Sequence, residues 1–184
     1  KICLGVDIVV HSAGLAGTWG PESEYEKANV TVTRQLLEAA KENGVRRFIN
    51  ISSPSIYFDY KDQFDLREDN LPASFSNAYA ATKWRAEVLT RTANAPDFLT
   101  VSLRPRSVIG RGDRNVLPRL LRLHAEGSLV QIGRGDHVVD ITSVGNLISA
   151  VLLAFEAPPA AMGETYNITN GAPIRFWDFV EMFL

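Results

Sequence analysis

The tightest constraint on this chain is a short apolar run that stops at a cluster of hydroxyls. Val45-Arg-Arg-Phe-Ile-Asn-Ile51 reads as a buried strand, and Ser52-Ser53-Pro54-Ser55 follows at its carboxyl end. In open α/β sheets that end of a strand is where ligands bind. Downstream, Tyr79-Ala-Ala-Thr-Lys83 sets a phenol and an ammonium four residues apart in a helix-permissive run, so the two side chains share one helix face. A phenol is a poor base at neutral pH, and holding one ionised there costs about 4 kcal/mol. A neighbouring cation lowers that cost. By itself the spacing suits a packed ring beside a solvated amine better than it suits chemistry; the serine cluster upstream is what favours chemistry.

The rest of the chain frames these two stretches. Asp7-Ile-Val-Val-His11 is a β-branched run suited to a central strand, and Gly14-Leu-Ala-Gly17-Thr-Trp-Gly20 follows with the glycine spacing of a dinucleotide-phosphate loop. Two features argue against that use. The helix beyond opens Pro21-Glu22-Ser23-Glu24-Tyr25-Glu26, and its carboxylates would compete with a diphosphate for the helix N-terminus. The next strand also ends in Ser52-Ser53, where a ribose hydroxyl would need Asp or Glu. The glycines then read as a flexible loop.

Ser23-x-x-Glu26 is a capping box for a helix running to about Asn43, with Gly44 as its stop. Leu36, Leu37 and Ala40, with Val30 and Thr33 a turn earlier, form its core-facing stripe, and Asn29 falls near that face. Residues 58–76 are polar and aperiodic, a surface loop over the substrate cleft. The Tyr79 helix extends to about Ala93, with Trp84 and Val88 as a packing pair, and Val101-Ser-Leu-Arg-Pro105 is a third strand.

After Pro105 the chain leads through a loop into a helix with Leu117, Leu120 and Leu121 inward. Six arginines between 104 and 122 are able to clamp a carboxylate or phosphate, or to form a solvated face. A short strand at Val138–Ile141, an apolar helix from Val144 to Phe155, a strand at Glu164–Thr169 and the start of a helix from Ile174 complete the pattern.

Composition excludes some classes. A net charge of −2 carries no basic excess for nucleic acid. The apolar run Ala150–Phe155 is far short of the ~20 residues of a membrane span. The single Cys3 forms no internal disulfide, which points to a reducing, cytoplasmic setting. His11, His124 and His137 are scattered, with no metal cluster around them, and His11 at a strand end reads as structural.

The ordered set of Ser52-Ser53-Pro54-Ser55, Tyr79-x-x-x-Lys83 and Arg104-Pro105 resembles the short-chain dehydrogenase/reductase superfamily, in its extended NAD-dependent epimerase/dehydratase branch. The resemblance covers nearly the whole chain. It implies an α/β fold, a Rossmann-like doubly wound parallel sheet. Residues 1–105 would be the C-terminal portion of the NAD(P)-binding domain, and 106–184 mainly a small α/β substrate-binding region.

It also implies roles. Ser53, four residues before Tyr57, would be the catalytic serine; Tyr79 the general acid/base; Lys83 its ammonium partner; and Asn29 a fourth member holding the active-site geometry. Ala13, Gly14 and Leu15 would pass the adenosine side of the cofactor, with Ile51, Ser52, Tyr79 and Lys83 also in contact, and Pro105 and Ser107, near Arg104, lining the nicotinamide pocket. The cofactor is NAD or NADP, the partner a small-molecule substrate, and the assembly a homodimer packed through the Tyr79 helix and the helix before it. Extended members open with a glycine-rich turn that nothing upstream of Asp7 supplies, so about 60 further residues, two βαβ units, are expected there, and the end is expected to be cut as well.

Within the superfamily, a dehydratase would carry Asp-Glu where Pro54-Ser55 stand. Trp19-Gly20-Pro21, the serine cluster and Asn170-Gly171 look most like the 3β-hydroxysteroid dehydrogenase branch. That implies an NAD(P)-dependent oxidoreductase interconverting a hydroxyl and a ketone on a sterol-like or 3-hydroxy/3-keto acid substrate. The alternatives are a nucleotide-sugar 4-epimerase, and a cofactor-free binding or scaffold protein on the same fold.

Overall fold

The computed structural model describes residues 2–17, 19–131 and 133–184. The apolar runs become strands: β1 (Ile8–His11), β2 (Arg47–Ile51) and β3 (Leu99–Pro105) pair in parallel, with Val10 opposite Ile49 and Ile49 opposite Val101. Between β1 and β2 the chain rises through α1 (Glu22–Tyr25), a π-helical turn (Glu26–Thr31) and α2 (Val32–Glu42); between β2 and β3 lies α3 (Ala78–Thr92).

The helix boundaries have local causes. α1 begins at an extended Pro21 N-cap without a side-chain cap, so the expected Ser23–Glu26 capping box does not form. Glu26 instead meets Arg85 of α3 at 2.8 Å. α2 buries Thr33, Leu37 and Ala40 along one stripe. It ends in a Schellman motif: Gly44 takes φ +74°, its N–H reaches Lys41 O at 3.2 Å, and the Val45 N–H reaches Ala40 O at 3.0 Å. α3 is capped by Asn77, whose side chain accepts from the Ala80 N–H at 2.9 Å.

Further elements are β4 (Val108–Ile109), α4 (Val116–Ala125), β5 (Val138–Val139), β6 (Thr142–Ser143), α5 (Val144–Glu156), β7 (Thr165–Ile168), β8 (Ile174–Arg175) and α6 (Phe176–Glu181). The main sheet has the order β1-β2-β3-β7 and is Rossmann-like. The chain divides into two compact units, one from the residues up to Pro105 with Val151–Asn167, the other from Arg106–Ala150 with Ile168–Leu184.

In the first unit, Cys3, Leu37, Ala40, Val45, Phe48 and Phe98 form a core cluster under α2 and α3. The returning segment is tied to β2 by Arg47, which donates to the carbonyls of Ala154 and Ala157 at 3.2 and 2.9 Å. In the second unit, β4 pairs with β6 and β5 with β8, and the core gathers Ile141, Phe179 and Val180 with Leu117 and Leu120. Leu121, expected inward, is 48% exposed. Among the described residues no helix is long and apolar enough to cross a membrane, and no group of three or more His, Cys, Asp or Glu could hold a metal.

Candidate active site

The site grows from the end of β2. Ser52 continues the ladder, its N–H donating to Leu103 O at 2.7 Å. Its buried Oγ has no hydrogen-bond partner among the described residues. Ser53 then leaves the strand with extended backbone and caps a 3₁₀ turn, Pro54–Tyr57, its Oγ accepting from the Ser55 N–H at 3.2 Å. Pro54 suits that first turn position because its missing N–H would have had no partner there. The Ser53 and Ser55 hydroxyls lie 2.9 Å apart.

α3 brings an ammonium to the same strand end. Lys83 is 7% exposed, and its Nζ donates to the carbonyl of Ile51, the last residue of β2, at 2.7 Å. Burial lowers the Lys83 pKa to about 8, with the Glu87 carboxylate one turn on opposing the fall. The ammonium therefore persists at neutral pH and keeps two further N–H donors. Tyr79, one turn before Lys83, is half-buried, its ring 6.3 Å from that of Tyr25.

Asn29 sits in the π-helical turn, fully engaged. Its Oδ1 accepts from the Leu15 N–H at 2.8 Å, and its Nδ2 donates to Leu15 O at 3.0 Å and to Thr82 Oγ1 at 3.1 Å. One amide thus joins the loop after β1 to the residue preceding Lys83. The loop must lie close for this: a Cβ at Gly14 would stand 2.9 Å from Asn29 Oδ1. Added Cβ atoms at Gly17 and Gly20 would meet the Tyr25 side chain at 3.1 Å, at its hydroxyl and its ring respectively, so the three glycines let the loop rest on Tyr25 and Asn29. Ala13 and Gly14 are exposed and Leu15 is half-buried.

Behind Asn29, Thr33 Oγ1 donates to Asn29 O at 2.7 Å and so must accept from His11 Nε2, 2.9 Å away. His11 therefore carries a proton on Nε2. Burial lowers its pKa to about 4, and the Lys83 charge adds to the fall.

Arg104 of β3, expected beside Pro105, is instead enclosed at 1% exposure. It clamps Glu87 with two bonds of 2.8 and 2.6 Å, donates to Tyr57 Oη and to Glu68 O at 3.0 Å, and stacks 4.8 Å from the Tyr57 ring. Tyr57 Oη in turn donates to Asn167 Oδ1 at 2.7 Å. Arg106, Arg111, Arg114, Arg119 and Arg122 are exposed in the second unit. Residues 58–77 carry no regular element, and seven of them between Asp59 and Pro72 line a cavity of about 400 Å³ with Tyr57. Trp84 is half-buried, its ring 6.3 Å from Phe75.

The structure thus places Ser52 and Ser53 at the end of β2 with Lys83 held on Ile51 O, Tyr79 one turn before Lys83 on α3, and Asn29 joined to α3 through Thr82. Pro105 is buried at the end of β3, and Ser107, exposed with φ +42°, belongs to the second unit. Sequence reasoning missed Thr82 and Glu87, read Thr33 only as part of the α2 stripe, and named Ser55 only as a member of the serine cluster. Glu87 had a signal, a third functional side chain continuing the four-residue spacing of Tyr79 and Lys83. The donor set fits a dinucleotide: an ammonium with two free N–H groups for vicinal ribose hydroxyls, and a buried Ser52 Oγ without a partner.

A family model described as the 3-beta hydroxysteroid dehydrogenase/isomerase family matches residues 1–184. The 2-alkyl-3-oxoalkanoate reductase of Stenotrophomonas maltophilia (strain K279a) is 38% identical over 186 residues, covering 98% of this chain and 56% of that protein. The decarboxylating sterol-4-alpha-carboxylate 3-dehydrogenase of Saccharomyces cerevisiae is 35% identical, covering 93% of this chain and 52% of that one. Among solved structures, UDP-glucuronic acid 4-epimerase from Bacillus cereus in complex with NAD superposes with a TM-score of 0.85 at 30% identity, covering 98% of this chain and 59% of its own. The chain spans about half the length of the curated relatives it matches.

Proposed function

Because the chain belongs to the 3-beta hydroxysteroid dehydrogenase/isomerase family, we propose that it serves an NAD(P)-dependent oxidoreductase interconverting a hydroxyl and a ketone on a hydrophobic substrate, a 3-hydroxy/3-keto acid or a sterol-like alcohol. The observation that carries this reading is the buried Lys83 ammonium, fixed on the last carbonyl of β2 one helical turn from Tyr79, with the Ser53 hydroxyl at the same strand end. The 38% identity to a 2-alkyl-3-oxoalkanoate reductase supports the 3-oxo acid class.

Tyr79 acts as the general acid in reduction, giving its phenolic proton to the carbonyl oxygen, and as the base in oxidation. Lys83 stabilises the resulting phenolate with a charge that is already desolvated and in place. Ser53 donates a hydrogen bond to the same oxygen and lowers the energy of the charge developing there. Asn29 holds the Leu15 loop against α3 and so keeps Lys83's helix in register with β1. Ala13, Gly14, Leu15, Ile51, Ser52, Tyr79, Lys83 and Pro105 would hold the dinucleotide, which when bound supplies or removes the hydride. The single buried Cys3 favours a cytoplasmic setting, and α2 and α3 are the faces through which two copies would pair as a homodimer.

A second reading, a nucleotide-sugar 4-epimerase, is favoured by the likeness to the Bacillus cereus epimerase, the exposed arginines of the second unit then holding a diphosphate. Titration of NADH and NADPH, followed by energy transfer from the Trp residues to the nicotinamide, tests the shared premise. Saturable binding together with turnover of 3-oxo acids or hydroxysteroids supports the oxidoreductase. Turnover of UDP-sugars alone replaces it with the epimerase, and failure of both nucleotides to bind means that the residues named here serve a longer polypeptide and that these 184 residues alone are catalytically inert.

A further inference from the structure

Ser53 Oγ has one proton and two acceptor lone pairs. The Ser55 N–H fills one lone pair at 3.2 Å, and Pro54 between them has no N–H to compete for it. The second lone pair faces a choice, because Ser55 Oγ is 2.9 Å away and either oxygen can donate. If Ser53 donates, its proton is engaged and it can only accept from a ligand. A ketone oxygen has nothing to donate, so it selects the other arrangement, in which Ser55 donates to Ser53. Both Ser53 lone pairs are then filled, and its one proton is left for the substrate oxygen.

We propose that Ser55 is the positioning residue that gives Ser53 this polarity, a role resting on the reading of Ser53 above. No proton changes oxygen within the pair; each hydroxyl keeps its own and only the donor direction turns. Hydroxyls in series also polarise one another, which makes Ser53 a stronger donor than a lone serine. Ser55 is only half-buried, while Ile56 and Tyr57 bury the rest of the turn, so shortening its side chain opens no core cavity.

The test is steady-state reduction of a 3-oxo acid by the protein and two variants. Ser55→Ala lowers kcat about fivefold with KM changed less than about twofold, the size expected for the loss of one net hydrogen bond. Ser55→Thr, which keeps the hydroxyl, restores kcat. A second readout is the carbonyl stretch of a bound ¹³C-labelled 3-oxo acid, which shifts to lower frequency in the unaltered protein and Ser55→Thr, and less in Ser55→Ala. An unchanged kcat in Ser55→Ala overturns the role, as does equal impairment in Ser55→Thr, which would show a steric effect. A rise in KM alone also overturns it, making Ser55 a substrate contact. An unaltered protein that reduces no 3-oxo acid with either nucleotide overturns the reading of Ser53 itself, and is told apart by the missing baseline.

Discussion

Lys83 and His11 show how far burial moves a titrating group and what that implies for pH. The Lys83 ammonium is present below about pH 8 and lost above it, so turnover has an alkaline limit near pH 8, well below the range of an exposed lysine. Lys83→Met removes that limit along with most of the rate. Tyr79→Phe, which keeps the ring and deletes the proton, lowers kcat by about 10² to 10⁴ while leaving the melting temperature near its original value. His11 titrates near pH 4 in the folded chain and near 6.5 when unfolded. Between those values the unfolded chain binds more protons, so stability falls on acidification from pH 6.5 to 4, by on the order of 3 kcal/mol, and is unaffected above that window. Urea melts across that range, compared with His11→Gln, check the sign and the size. The placement of Ser53 at a strand end and of Tyr79 and Lys83 one turn apart on α3 was legible because spacing along a strand end and a helix face is a local property. The partners of His11 and Glu87 were not, because Thr33 and Arg104 reach them only through the fold.

Elements were legible where period and punctuation agreed, as at Gly44, whose positive φ closes the α2 Schellman motif. They were illegible where two starts competed. Pro21 begins α1 ahead of Ser23, and nothing in the sequence announces the π-helical turn that buries Asn29 beside Val30. The larger surprise lies between elements: Arg104 couples β3 to α3 through Glu87 and to the loop through Glu68 O, while Asn167 accepts Tyr57 and donates to Glu68 Oε1 and Leu66 O at 2.8 and 3.1 Å. Glu87→Ala would leave a guanidinium buried without its counter-charge and cost about 3 to 5 kcal/mol, whereas replacing both partners with apolar residues of similar volume costs far less. Denaturant melts of the single and double variants separate the two cases. At Gly14, an alanine Cβ would press on Asn29 Oδ1 at 2.9 Å, and the expected outcome is a loss of about 1 to 3 kcal/mol together with weaker nucleotide binding.

At the scale of the whole molecule, the strands of the main sheet were readable in order from their β-branched runs, but the segment Val151–Asn167 joins the first unit through pairings that no local pattern carries. The core beneath α2 also encloses Cys3, 2% exposed and the chain's only cysteine. That thiol is a native clock. A disulfide reagent can modify it only when the packing around Cys3 parts, so the labelling rate, set against that of a free thiol, measures how often that corner of the first unit opens. Binding of a dinucleotide to that unit would slow the clock without any introduced label.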